Sequence, residues 1–292
     1  MLEKIPSKVL LFGEYTILYG SSALAIPNKQ FYGHWVKEGG PLLNRQALEN
    51  ILQFLKAENV HFLKIDDFEH DLKSGLNFVA NIPIGYGVGS SGAVSAAILK
   101  RYARNESADL SELRERLQGI ENHFHGNSSG LDPLVSYLNK SILLKQTGAI
   151  QLMDSSSSNF NKLKLFLLDT KLARSTAPLV KIFKEKMKEK HFSINVHNVL
   201  LDHVEMAIQH YLNGQEDHLM KQVHEISNFQ HRHFSEMILE NHQSIWRQAL
   251  ASPYFKLKLC GAGGGGFILG FSLGQKETEQ ALEDKKQDII WL

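Results

Sequence analysis

The stretch that decides the fold is a glycine-rich loop that runs directly into a helix-forming segment. It reads Gly85-Tyr86-Gly87-Val88-Gly89-Ser90-Ser91-Gly92, and Ala93-Val94-Ser95-Ala96-Ala97-Ile98-Leu99 follows. Glycines let backbone N–H groups converge without Cβ clashes. The first turn of a helix adds N–H groups without intrahelical acceptors and a partial positive charge. The segment therefore predicts a site for a di- or triphosphate, with Ser90 and Ser91 placed to reach phosphate oxygens or Mg²⁺.

The loop matches neither of two common nucleotide-binding motifs. No lysine follows the last glycine, as the Walker P-loop requires, and the spacing is not that of the dinucleotide fingerprint. Taken alone, the segment is explained equally well as a glycine-rich turn whose serines cap the next helix. Other parts of the chain must decide between these interpretations.

Two acidic residues, Glu121 and Asp132, flank a second loop, which contains Gly126 and Gly130. Phosphoryl transfer needs one carboxylate to hold a metal and another to orient or deprotonate the attacking hydroxyl. Glu121 and Asp132 are candidates for these two roles. For this segment alone, the simpler interpretation is an exposed Glu121 and an Asp132 that caps the turn before Pro133.

A third segment, Gly261-Ala262-Gly263-Gly264-Gly265-Gly266, lies between two strand patterns. So many glycines weaken an ordinary hairpin through backbone entropy. They are favoured where a loop must approach a ligand or another backbone closely, although a flexible hairpin tip is the competing interpretation.

Composition limits the class of protein. The 292 residues are 43% hydrophobic and 22% charged, with a formal net charge of +1, which excludes a disordered chain and a broadly basic nucleic-acid surface. The single cysteine, Cys260, cannot form an intrachain disulfide. No apolar run approaches the roughly 20 residues that span a bilayer, and residues 1–8 lack the pattern of a signal peptide. We expect a cytoplasmic protein with two domains joined near the serine run at 155–158.

In order along the chain, these segments resemble the three signature motifs of the GHMP kinase superfamily. The first signature is similar to residues 8–20 with 23–27 after them, the second to 83–97 and the third to 258–267. The resemblance implies an ATP-dependent small-molecule kinase with a two-domain α+β fold. An N-terminal α/β domain of ribosomal-protein-S5-like type would span residues 1–160, and a C-terminal ferredoxin-like α+β domain residues 161–292. The active site would lie in the cleft between them.

Within the superfamily the chain most resembles the mevalonate kinases. Residues 125–132 are similar to their catalytic loop and residues 169–176 to the segment that opens their second domain. The resemblance implies phosphorylation of mevalonate, in isoprenoid biosynthesis. Tyr15 stands where mevalonate kinases commonly have a histidine that contacts mevalonate, and Glu-Tyr at this point also occurs in phosphomevalonate kinases. Phosphomevalonate is therefore the alternative substrate, and diphosphomevalonate decarboxylase is a weaker rival.

The resemblance also implies a role for each matching residue. Asp132 would orient or deprotonate the acceptor hydroxyl, and Lys8 would neutralise charge on the moving phosphoryl group. Mg²⁺ would be held by Ser91 and Glu121. The ATP phosphates would be held by Gly85, Gly87, Gly89, Ser90, Ser91 and Gly92. The small anionic substrate would lie near Glu14, Tyr15, Arg174, Thr176 and Gly263.

A protein of another class could share this fold. A catalytically silent sensor would bind nucleotide and a small molecule without turnover. Such a protein would not need Lys8, Ser91, Glu121 and Asp132 together, so their joint presence favours an enzyme. A homodimer is compatible with the sequence, and neither a nucleic-acid nor a membrane partner is expected.

Overall fold

The computed structural model describes residues 3–37, 45–105, 109–126, 128–153, 160–283 and 288–292. Within these ranges the first sheet has five strands: β1 (Ile5–Phe12), β2 (Ala23–Lys37), β3 (Leu76–Ala80), β4 (Ser141–Leu144) and β5 (Ile150–Met153). The order is β1-β2-β4-β5, and β3 pairs antiparallel with β2, Gly33 opposite Ala80. A Cβ on Gly33 would lie 2.2 Å from the Phe78 ring, so the β2–β3 pairing requires a glycine there.

Helices of the first half of the chain are α1 (Arg45–Ala57), α2 (Ile65–Lys73), α3 (Ser90–Tyr102), α4 (Leu110–His125) and α5 (Leu131–Leu138). The helix-forming segment predicted at 93–99 is confirmed as part of α3. The residues of α3 from Gly92 to Leu99 are all buried. Small side chains allow this, because they let neighbouring elements approach the helix from every side.

The second sheet is formed by β6 (Lys164–Asp169), β7 (Phe255–Leu259), β8 (Phe267–Ser272) and β9 (Asp288–Trp291). Its order is β7-β8-β6-β9, and β6 pairs antiparallel with both β8 and β9. Between β6 and β7 the chain forms α6 (Thr176–Lys186), α7 (Lys190–Asn195), α8 (Leu201–Leu212), α9 (Glu216–His233) and α10 (Gln243–Ala251), and α11 (Gln275–Glu283) precedes β9. A β-α-β-β-α-β succession in this order is ferredoxin-like, as predicted.

The chain divides into two compact units that exchange segments several times. Unit 1 comprises Met1–Lys8, Ala25–Pro83 and Gly89–Ile142, and unit 2 comprises Val9–Leu24, Ile84–Val88 and Leu143–Leu292. The glycine-rich loop therefore belongs to unit 2 up to Val88 and to unit 1 from Gly89. The predicted domain joint in the serine run lies outside the described residues, so the boundary after residue 160 stays a prediction. None of the described helices has the length and apolarity to cross a lipid bilayer.

Candidate active site

In unit 1 the glycine-rich loop turns into the first turn of α3. Gly89 precedes the helix with φ of 77°, in the left-handed region that favours glycine, and its carbonyl accepts the Ala93 N–H at 3.0 Å. The helix begins at Ser90, so Ser91 and Gly92 also lie in its first turn. First-turn N–H groups have no intrahelical acceptors and carry a partial positive charge. The backbone thus has the form of the predicted anion site.

Lys8 and Asp132 meet beside this turn. Lys8 lies in β1 and runs along Gly89, where an added Cβ would approach its Cγ to 2.9 Å. The Lys8 Nζ lies 2.9 Å from Oδ2 of Asp132; the lysine side chain is 4% exposed and the aspartate side chain 31%. A buried ammonium group therefore holds a carboxylate that remains accessible to a ligand. The structure brings together the two residues that the sequence assigned to catalysis.

Asp132 lies in the first turn of α5, which begins after Gly130 in the left-handed conformation. The N-terminal turns of α3 and α5 pack closely, because a Cβ on Gly92 would lie 3.0 Å from the carbonyl carbon of Asp132. The alternative interpretation of Asp132 as a turn cap before Pro133 is wrong. Proline is tolerated in the first turn of a helix, where its missing N–H has no acceptor to lose.

Glu121 projects from α4 and is only 3% exposed, so the interpretation of an exposed glutamate is wrong too. Ser91 donates a hydrogen bond to its Oε1 at 3.1 Å, and Ser128 donates one to its Oε2. Burial, reinforced by the negative charge of Asp132, raises the pKa of Glu121 to about 7, although the serine hydrogen bonds and Lys8 oppose the shift. Two hydroxyls thus solvate the buried carboxylate, and among the described residues no basic side chain is in hydrogen-bond contact with it.

One face of α4 fixes the loop between Glu121 and Asp132. Arg114 Nε donates to the Ser129 carbonyl at 2.7 Å, and Gln118 Nε2 donates to the Ser128 carbonyl at 2.6 Å. Asn122 Oδ1 accepts the Ser128 N–H at 2.9 Å. These three residues recur every four positions and so share a helix face. The sequence analysis missed these three residues, although their four-residue spacing can be recognised in the sequence.

The donor set around Glu121 suits Mg²⁺. The ion prefers oxygen ligands and is usually bound by one or two carboxylates together with substrate phosphates. Ser91 and Glu121 offer a hydroxyl and a carboxylate, and the described part of the chain contains no group of three or more His, Cys, Asp or Glu residues that could hold a metal. The site therefore fits an ion that phosphate oxygens complete.

In unit 2, Arg174 holds the first half of the glycine-rich loop. Its backbone N–H donates to the Gly85 carbonyl at 3.1 Å. Its guanidinium donates from Nη1 to Thr176 Oγ1 at 2.6 Å and from Nη2 to the Cys260 carbonyl at 3.4 Å. The Arg174 Nε is buried without an acceptor among the described residues, and burial lowers the pKa of the side chain. A guanidinium with neutral partners and an unused donor fits an anionic ligand.

The third glycine segment packs against the same loop, as predicted. A Cβ on Gly87 would lie 2.6 Å from the Cys260 carbonyl oxygen, and one on Gly266 would lie 2.5 Å from Tyr86 Cα. Gly263, a predicted substrate residue, lies against Met237, whose carbonyl oxygen would be 2.5 Å from an added Cβ. These contacts explain why side chains are excluded from both glycine segments within unit 2.

Glu14 and Tyr15, two further predicted substrate residues, also lie in unit 2 and contact the third signature. Glu14 forms an ion pair with Lys258, and the Tyr15 hydroxyl donates to the Ala262 carbonyl at 2.6 Å. The predicted site residues thus form two groups. Unit 1 contains Lys8, Gly89, Ser90, Ser91, Gly92, Glu121 and Asp132, and unit 2 contains Gly85, Gly87, Glu14, Tyr15, Arg174, Thr176 and Gly263.

Part of the chain matches a known protein family, and its full length is similar to curated proteins. Residues 48–140 match the family model of the GHMP kinases N terminal domain. The mevalonate kinase of Pyrococcus abyssi is 25% identical over an alignment that covers 97% of this chain and 92% of the relative. The mevalonate kinase of Archaeoglobus fulgidus is 23% identical, with 99% of each chain covered.

Solved structures show the same fold at lower identity. The L. major mevalonate kinase in complex with R-mevalonate superposes with a TM-score of 0.66 at 17% identity, covering 98% of this chain and 92% of that one. The Streptococcus pneumoniae phosphomevalonate kinase in complex with phosphomevalonate and AMPPNP gives a TM-score of 0.69 at 14% identity, with 100% of both chains covered.

The chain therefore has the two-domain α+β fold of the GHMP kinases, as its three signature motifs predicted. The curated relatives named above are mevalonate kinases, and the predicted resemblance to them is confirmed.

Proposed function

We propose that the protein is an ATP-dependent kinase that transfers the γ-phosphoryl group of ATP to the hydroxyl group of mevalonate. The observation that carries the proposal is the Lys8–Asp132 pair, with 2.9 Å between Nζ and Oδ2, beside the N-terminal turn of α3. A phosphate-binding turn next to a lysine-held aspartate is the arrangement that phosphoryl transfer to an alcohol requires. The full-length similarity to mevalonate kinases supports mevalonate as the acceptor.

The roles of the unit 1 residues follow from their exposure. Asp132, the accessible member of the pair, orients the acceptor hydroxyl and takes its proton as the bond to phosphorus forms. Lys8 stays in place beneath it and stabilises negative charge as it moves to the acceptor side. The first turn of α3 holds phosphate oxygens through Ser90, Ser91 and Gly92.

Ser91 and Glu121 are the residues that would hold Mg²⁺. When bound, the ion neutralises charge on the β- and γ-phosphates. Ser128 holds the second carboxylate oxygen of Glu121, so the carboxylate plane is fixed from both sides. In unit 2, the unused Nε donor of Arg174 supports an acceptor substrate that carries a carboxylate or phosphate.

Phosphomevalonate kinase activity is the second candidate. It is favoured by Tyr15, which occupies the position where mevalonate kinases commonly have a histidine. A coupled assay of ADP release by the purified protein, with mevalonate and with phosphomevalonate as acceptors, separates the two. ADP release with phosphomevalonate alone would overturn the mevalonate assignment, and no ADP release with any alcohol would favour a silent sensor.

The catalytic role of Asp132 has its own test. Asp132→Asn should lower kcat by ~10²–10⁴, the usual contribution of a positioned acid or base, while nucleotide affinity measured by calorimetry changes little. Asp109→Asn is the matched control, because Asp109 caps α4 and asparagine caps a helix equally well. An Asp132→Asn enzyme that keeps more than about a tenth of the rate would remove Asp132 from the chemistry.

A further inference from the structure

Glu14 reaches the third signature through a fully buried ion pair. Its side chain is 3% exposed and that of Lys258 is 0% exposed. The Lys258 ammonium group donates to the Glu14 carboxylate and to the Leu259 carbonyl at 2.9 Å. Lys258 lies in β7, three residues before the glycine segment begins. If the Glu14 carboxylate turned toward a substrate, it would leave a buried ammonium group unpaired, which is strongly unfavourable.

Tyr15 makes the second contact, one residue further along the chain. Its hydroxyl donates to the Ala262 carbonyl at 2.6 Å, and its ring stacks on Phe183 with 4.5 Å between the centroids. The residue is 5% exposed, and burial raises its pKa, which keeps the hydroxyl protonated as a donor. Its φ of 63° lies in the left-handed region, which non-glycine residues adopt only where surrounding contacts impose it.

The segment that receives these contacts needs external support. Gly261, Gly263, Gly264 and Gly266 all have φ between 70° and 72°, so the backbone follows a path that few residues other than glycine can take. Glycine has the greatest conformational freedom to lose on ordering. Two segment amides are held by backbone carbonyls: Gly264 N–H donates to Met237 and Gly266 N–H to Leu172, each at 2.6 Å. Ala262, near its beginning, is held by Tyr15.

We infer that Glu14 and Tyr15 are positioning residues, which together with Lys258 fix the third glycine segment, and that neither contacts the acceptor substrate. The inference departs from the role that the family resemblance implies for these positions. It rests on the proposed function only for the identity of that substrate. Tyr15, in particular, fills the space beside Ala262 with a ring whose polar atom is already directed at the segment.

Hydrogen exchange followed by mass spectrometry tests the positioning directly. Tyr15→Phe removes one hydroxyl and keeps the stacked ring. Peptides that cover residues 261–267 should exchange roughly 10-fold faster in this variant, the effect of losing one buried hydrogen bond. Tyr19→Phe is the matched control, because Tyr19 also packs on Phe183, at 5.7 Å between centroids, and it should exchange like the wild type. Equal exchange in Tyr15→Phe and wild type would overturn the inference.

Kinetics on the same variants separates positioning from substrate contact. Tyr15→Phe should lower kcat several-fold and leave KM for mevalonate within about twofold, whereas a lost substrate contact would raise KM ~10-fold or more and overturn the inference. The double variant Glu14→Gln/Lys258→Met removes both buried charges and should show the same exchange and kinetic pattern. If the wild type phosphorylates no acceptor, the proposed function fails, and the exchange comparison still decides the positioning role.

Discussion

Glu121 of unit 1 and Glu14 of unit 2 are both buried, yet their carboxylates are satisfied in opposite ways. Two serine hydroxyls donate to Glu121, and the charge that shifts its pKa most is the repelling carboxylate of Asp132. Glu14 instead pairs with the ammonium group of Lys258, which is 0% exposed. Among the described residues each unit thus contains one buried glutamate, and the two differ in whether an ammonium group or a pair of hydroxyls contacts the carboxylate.

The difference separates a carboxylate held by neutral donors from one held by a cation. A buried carboxylate held by neutral donors retains most of its desolvation cost when ionised, and a bound divalent cation removes that cost. A buried carboxylate with a buried lysine needs nothing further, and a strongly perturbed group without a counter-ion is the better candidate for function. These observations therefore support the two proposed roles, cation binding for Glu121 and positioning for Glu14.

The largest expected effect concerns the complete pair. Lys258→Met leaves the Glu14 carboxylate buried without its lysine partner, so the free energy of unfolding should fall by about 3–5 kcal/mol. Glu14→Gln/Lys258→Met should recover most of that loss, because no charge remains in the pocket. Urea unfolding of both variants measures the difference. Lys73→Met is the control: that lysine side chain is 73% exposed in its ion pair with Glu69 and should matter little.

If the single and double variants were equally stable, Glu14 and Lys258 would not compensate each other's buried charge. In that case the contrast with Glu121 would lose its basis in unit 2.

The next effect concerns Glu121 and depends on pH. The pKa of Glu121 is about 7 in the folded protein and 4.5 in an ordinary glutamate, so the folded state holds the proton more tightly. Metal-free wild-type protein should therefore lose stability as pH rises from about 4.5 to 7, by up to about 3 kcal/mol. Glu121→Gln carries no titrating proton, so its stability relative to the wild type should increase across that range.

Denaturant unfolding at pH 5 and pH 8 in the presence of a chelator measures this difference. Glu49→Gln, an exposed change on α1, is the control and should follow the wild type at both pH values. If the unfolding free energies of Glu121→Gln and the wild type differed by the same amount at pH 5 and pH 8, Glu121 would be ionised at both. Its pKa would then not be raised, and the electrostatic contrast with Glu14 would be wrong.

The parts of this picture that the sequence predicted are those that depend on local backbone chemistry. Gly89 and Gly92 predicted that other groups approach the start of α3 closely. In the structure, Lys8 packs against Gly89 and Asp132 packs against Gly92. The ferredoxin-like second half also followed, from the family resemblance.

The parts that the sequence could not predict depend on contacts between distant residues. Glu14 and Lys258 are 244 positions apart, and no sequence pattern in either segment predicts that the two side chains form an ion pair. Burial of Glu121 was equally hidden, because it arises from the packing of α4 with α3 and α5 and not from the sequence of α4 itself. The charges around a buried site depend on residues that meet only in the folded protein, whereas the backbone conformation of glycine depends on the local sequence.

The smallest effect concerns the Ser128 hydroxyl, the second of the two that contact Glu121. Ser128 donates to Glu121 Oε2 and accepts the Gly130 N–H at 2.9 Å, so one side chain fixes both the carboxylate and the loop that leads to Asp132. Ser128→Ala should weaken Mn²⁺ binding, measured by electron paramagnetic resonance with ADP present, ~10-fold, as is usual when a partner of a metal ligand is lost.

Two reference variants bracket that result. Glu121→Gln removes the charged ligand itself and should weaken Mn²⁺ binding more than Ser128→Ala does, whereas Ser111→Ala, at the far end of α4, should leave it unchanged. If Ser128→Ala bound Mn²⁺ like the wild type, the carboxylate would be oriented by Ser91 alone. Glu121 and Glu14 would then contrast in the charge of the group that contacts each carboxylate: a hydroxyl that leaves room for a cation, or an ammonium group that replaces one.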